Sequence, residues 1–141
     1  MSNKLLAVSS EDTVRESVST VKLKNEGTRG LHKCARQGHD FNIKIYLDHE
    51  VDVNIRGHKN ITPLMQAADG GHLSTAQILI SRGADLELRD SNGETALMHA
   101  AKKNYSDLVS ELLKRGAKED VTDNWNETAL QTAELLPSMA N

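Results

Sequence analysis

Apolar residues return along this chain at helical rather than strand spacing. Leu64, Ala67 and Ala68 share one helical face, and Ala76, Leu79 and Ile80 share a second one further on. Gly70-Gly71 breaks the pattern between them. Arg82-Gly83 ends it, with glycine standing where a helix stop is expected. An extended polar stretch follows, and no segment sustains the alternation of a half-buried strand. The pattern predicts helix, short turn, helix and then a polar loop.

That unit recurs at an interval of 33 residues: Thr62-Pro63-Leu64, Thr95-Ala96-Leu97 and Thr128-Ala129-Leu130 mark successive starts. One step earlier stands Arg29-Gly30-Leu31. Gly83-Ala84 is matched by Gly116-Ala117, and Asp90 by Asp123. Gly27, Asn60, Gly93 and Asn126 fall in one column. Glycine and asparagine tolerate a left-handed backbone best, so this column predicts a tight turn. Units run from Lys24 to Arg56, Gly57 to Arg89 and Asp90 to Thr122, with a fourth begun at Asp123.

Composition fits thin helical layers. Hydrophobic residues make up 38% of the chain but aromatics only 3%, so alanine, leucine, isoleucine and valine must supply the core. A formal net charge of −3 gives no global pull toward nucleic acid or an anionic membrane. Cys34 is the only cysteine, which excludes an intramolecular disulfide and a cysteine-based metal cluster and fits a reducing compartment. Leu5-Leu6-Ala7-Val8 is too short for a signal-peptide core, and no run approaches the roughly 18 apolar residues of a membrane span. The expectation is a cytoplasmic location, with the nucleus as the alternative.

The threonine triplets, the glycine stops and the period resemble the ankyrin-repeat family, whose signature is T-P-L-H-x-A over 33 residues. The resemblance covers about residues 24 to 136. It implies an all-α solenoid of stacked helix-turn-helix units with β-hairpin-like loops along one edge. Residues 24–141 would form the repeat domain, about three repeats and a C-terminal half-repeat cap with a helix from Glu127 to Leu136. Residues 1–23 would be a tail or, from the spacing of Val14, Val18 and Val21 behind Ser10 and the acidic Glu11-Asp12, a capping helix over 10–22. The first unit is degenerate: Arg29-Gly30 replaces Thr-Pro, and Glu50 takes the position of the helix-ending glycine. A left-handed glutamate there costs on the order of 1 kcal/mol. Glu111 and Glu119 occupy positions where the family prefers apolar residues, and we read both as exposed.

Candidate chemistry is sparse. His32 falls on the histidine of the family signature, where the resemblance implies a structural hydrogen bond. His39 and His72 follow glycine at the interhelix turn. Positions equivalent to His32 are Met65, Met98 and Gln131, so no histidine row forms and no metal or other cofactor is expected. Cys34 shares its column with Ala67, Ala100 and Ala133, which predicts a small core residue. No nucleophile elbow or phosphate-binding glycine loop is present, so an enzyme is not expected.

What remains is a surface. The resemblance implies binding through loop tips and the exposed face of each first helix. Carried over, these positions are His58, Lys59, Ile61, Gln66, Asp69, Asn92, Glu94, His99, Lys102, Lys103, Asn124 and Trp125, with Arg89 at a repeat boundary and Lys33 and Arg36 offered by the degenerate first unit. Trp125 sits in the polar turn Asp123-Asn124-Trp125-Asn126 and either anchors a partner or folds back over the cap. Lys59, Arg89, His99, Lys102 and Lys103 make one stretch basic, which favours an acidic protein partner over nucleic acid. The expected function is a protein–protein interaction module, an adaptor, inhibitor or targeting subunit, monomeric when free. The alternative is a non-catalytic regulatory subunit of an enzyme complex, which would co-purify with a stoichiometric enzyme.

Overall fold

The computed structural model describes residues 27–132. Helix α1 covers 27–37 and α2 Asp40–Asp48. A 3-10 turn, His58–Asn60, precedes α3, Pro63–Gly70, and α4, Leu73–Ser81. Then come α5, Ala96–Lys102, α6, Ser106–Lys114, and α7, Ala129–Thr132. No strand occurs among the described residues. The expected helix over 10–22 and the rest of the C-terminal one lie outside them.

The threonine columns are N-caps. Thr62, Thr95 and Thr128 each accept a hydrogen bond through Oγ1 from the amide three residues on, at 3.3, 3.4 and 3.3 Å. Pro63 then stands at the first helical position, where no amide hydrogen is missed. Each second helix closes alike. The Ala84 amide donates to the Leu79 carbonyl at 2.9 Å and that of Ala117 to Leu112 at 3.0 Å. The left-handed residue in those closures is glycine, Gly83 (φ 95°) and Gly116 (φ 99°). Glu50 takes the same conformation at φ 64°, and Val51 donates to Tyr46 at 3.1 Å, so the degenerate unit keeps the geometry with a strained residue in it.

Helices α3 and α5 form the inner layer with α7 against α5, and α2, α4 and α6 pack as an outer layer. Alanines make this possible: Ala35, Ala67, Ala68, Ala76, Ala100 and Ala101 are fully buried between the leucines and methionines of neighbouring units. Cys34 lies in this core, and burial pushes its thiol above the usual range, as its alanine column implied.

The loops are hairpin-like. In each, the amide at one end donates to the carbonyl four residues on: Gly57 to Ile61 at 2.8 Å, Asp90 to Glu94 at 3.0 Å, Asp123 to Glu127 at 2.9 Å. Successive loops are tied together by Ser91 N–H to Lys59 O and Asn124 N–H to Asn92 O, both at 2.9 Å. Asn60, Gly93 and Asn126 are left-handed at these turns, with φ of 60°, 76° and 63°. Gly27 departs from its column. It is helical, because α1 already runs there and the chain packs against Val51. Glu111 also departs from the expected exposure. Only 12% of its side chain is accessible, and it accepts from Gln77 Nε2 at 3.1 Å and pairs with Arg115 at 3.4 Å. The partners make the burial tolerable. Glu119 is exposed.

Candidate interaction surface

Loop tips and the inner helices supply the candidate surface, but its residues divide into a committed set and a free set. Arg56 donates through Nη1 to the Asn60 and Arg89 carbonyls, both at 2.7 Å. Arg89 repeats this one unit on, donating from Nε to Gly93 O at 2.9 Å and from Nη2 to Thr122 O. A planar guanidinium fixes several carbonyls at once, so these arginines stitch the loops rather than wait for a partner. Asn124 does similar work, donating to Ser91 O at 2.9 Å.

His99 was expected on the exposed face and is instead buried, 7% accessible. Its Nδ1 donates to Asp69 Oδ1 of the preceding unit and its Nε2 to Asp90 Oδ2 of its own loop, both at 2.8 Å. A neutral imidazole has one N–H, so two carboxylate acceptors call for the imidazolium. Burial alone would lower the imidazolium's pKa. The hydrogen bonds and charges of Asp69 and then Asp90 outweigh that and raise His99 above its usual value. The other oxygen of Asp90 accepts the amides of Asn92 and Glu94 at 2.9 Å each. Asp123 holds the amides of Trp125 and Glu127 in the same way. Glu94 is also buried, contrary to expectation. Its carboxylate takes Lys102 Nζ at 2.7 Å, and the pairing raises the Lys102 pKa. Lys102 remains partly exposed, but its charge is balanced within the fold. Asp90, Glu94 and His99 bring ligand-type atoms within 4.8 Å of one another, and all of those atoms already carry protein partners. Their chemistry here is that of an ion-pair network between units.

The free set lies elsewhere. His58, Lys59, Asn92, Lys103 and Trp125 are exposed, Trp125 at 63%. Ile61 is half-buried and leans on the core. His32, as the resemblance implied, is structural: Nε2 donates to Ile61 O at 2.7 Å, and Nδ1 meets Thr28 O. His72 donates likewise to Arg36 O at 2.8 Å, whereas His39 is exposed. Between the first two units lies an open groove of about 1090 Å³ whose walls include Arg29, Lys33, Arg36, His58, Lys59 and Gln66. Among the described residues none of these cations forms an ion pair, and no carboxylate lines the groove. Gln66 Oε1 is shielded from solvent and has no hydrogen-bond partner. Sequence reasoning put the basic stretch around His99 and Lys102, where the fold neutralises it. The sign available in the sequence was that acidic residues stand at 90, 94, 123 and 127 but not at 57, 61 or 28.

Among the described residues no helix is long and apolar enough to cross a membrane. No curated protein matches the chain. A family profile described as "Ankyrin repeats (3 copies)" matches residues 4–90, and one described as "Ankyrin repeats (many copies)" matches 79–133. Members of this family are generally protein–protein interaction modules and typically non-catalytic. With the period, the threonine caps and the tied loops, these matches show that the chain belongs to the ankyrin-repeat family.

Proposed function

We propose that this chain acts as an adaptor, inhibitor or targeting subunit that docks a protein partner on its loop tips and inner groove without turnover. The repeat domain of residues 24–141 carries that surface. The observation that supports this reading most directly is Trp125. A large amphipathic ring stands 63% exposed on a turn whose backbone is held by Asp123 Oδ1 and by the Asn92 carbonyl. An apolar ring displayed on a pre-ordered loop gains burial on docking at little ordering cost. His58, Lys59, Asn92 and Lys103 extend the same surface.

Affinity capture with the wild-type chain and with Trp125→Ala tests the reading. A partner retained by the first and lost by the second, with both proteins equally folded, is the expected result. Equal capture by both, or a variant that loses stability instead of binding, overturns the role given to the ring.

A further inference from the structure

We propose that the groove between the first two units seats an extended acidic peptide segment of the partner, whose carboxylates occupy positions that the later units fill with their own. This deepens the interaction reading and rests on it.

The observation is a difference between equivalent positions. In the third unit, His99 lies between Asp69 and Asp90, and Lys102 is held by Glu94. One unit earlier, Gln66 replaces His99, Gly57 replaces Asp90 and Arg36 replaces Asp69. Both carboxylates are gone, and a cation stands in place of one. Arg36 is also the counterpart of Lys102, and the residue in the place of Glu94 is Thr28. Lys33 is the first-unit counterpart of His99 and is exposed. Arg29, Lys33, Arg36 and Lys59 therefore face one groove with no acidic wall among the described residues.

Like charges crowded along a groove repel, and an anion from outside relieves this. Members of the family generally bind proteins, so the anions that suit this groove are the side-chain carboxylates of a peptide, and an extended peptide presents these on alternate residues. The groove is open enough, at about 1090 Å³, for an extended chain.

Fluorescence anisotropy with a short labelled peptide of alternating glutamate and glycine tests this on the full chain. Binding should weaken with added salt and fall by at least about tenfold in Lys33→Glu/Arg36→Glu. Lys44→Glu/Lys114→Glu, the same charge change on the outer helices α2 and α6, should leave it unchanged. Thr28→Glu places a carboxylate where the third unit has Glu94. It should weaken the peptide about as much while removing no cation, and circular dichroism should show both groove variants folded. Undiminished binding in Thr28→Glu or in Lys33→Glu/Arg36→Glu overturns the proposal. So does a single-stranded DNA oligonucleotide that binds as tightly with the same sensitivities, since the site would then read charge alone. A random peptide library displayed on phage separates the two levels of inference. Enriched acidic sequences support the groove. Enriched sequences without acidic residues, lost on Trp125→Ala, sink the groove but leave the interaction reading standing. No enrichment and no binding of the acidic peptide sinks both.

Discussion

Replacing His99 by leucine removes two charge-assisted donors at nearly constant volume and leaves Asp69 and Asp90 facing a hydrocarbon. The two carboxylates suffer unequally. Asp69 has 18% of its side chain accessible, so water takes over part of its bond. Asp90 has only 4%, and its Oδ2 is left without a donor. Breaking one side of a buried pair costs several kcal/mol, and partial rehydration of Asp69 brings the expectation to about 3 kcal/mol. That is a large share of the roughly 5–15 kcal/mol available to a small domain, and a fall in Tm on the order of 10 °C or more should accompany it. Because the folded state raises the His99 pKa, its contribution is complete below the unfolded value of about 6.5 and is lost as pH climbs through the raised one. Urea unfolding of wild type and His99→Leu, followed by circular dichroism between about pH 5.5 and 9, should give a gap widest at the acid end and narrowing toward the alkaline end. Two parallel stability curves over that range, or a gap at pH 6 within about 0.5 kcal/mol, would refute the bridging imidazolium.

Trp125→Ala should weaken partner binding by about 1–2 kcal/mol with Tm unchanged, as calorimetry and thermal melts can establish together. Gly83→Ala, where the added methyl meets open space at φ 95°, should cost about 1 kcal/mol of strain in denaturant unfolding. Gly93→Ala should cost clearly more, because its Cβ would lie 2.9 Å from the Asn124 backbone nitrogen. Arg89→Ala should destabilise by about 1–2 kcal/mol and speed amide exchange in the tied loops at Ser91 and Asn124, where unchanged exchange would contradict the stitching role.

The parts of this fold that sequence reasoning recovered are those set locally. A threonine three residues before an amide caps a helix wherever it stands, so Thr62, Thr95 and Thr128 announced their helices. Glycine stops and the asparagine turns are equally local. Gly27 misled because its neighbours, not its own tolerance, decide whether α1 has already begun. The candidate surface was less legible. A helical wheel assigns His99 to the open face, yet an inner helix is flanked by the preceding unit and by its own loop, and both cover that edge. Only pairings across 30 and 9 residues, to Asp69 and Asp90, bury it. The same holds for Glu94 and Glu111, each drawn inward by a partner. For Trp125, the polar turn was readable from Asp123-Asn124, but whether the ring met solvent or cap was a question of tertiary contact.

The seams of the stack are tied in different places. The one crossed by the Asp69–His99–Asp90 bridge carries its ionic rivets on the inner helix. Its predecessor carries them between the outer helices, where Arg82 pairs with Asp48 at 2.8 Å and Ser74 donates to Asp40 at 2.6 Å. Among the described residues the inner side of that first seam is crossed by hydrogen bonds of His32 and His72 to backbone carbonyls and by no ion pair. A guest that brings the missing anions then serves as a splint, so occupancy and cohesion of the leading unit rise together.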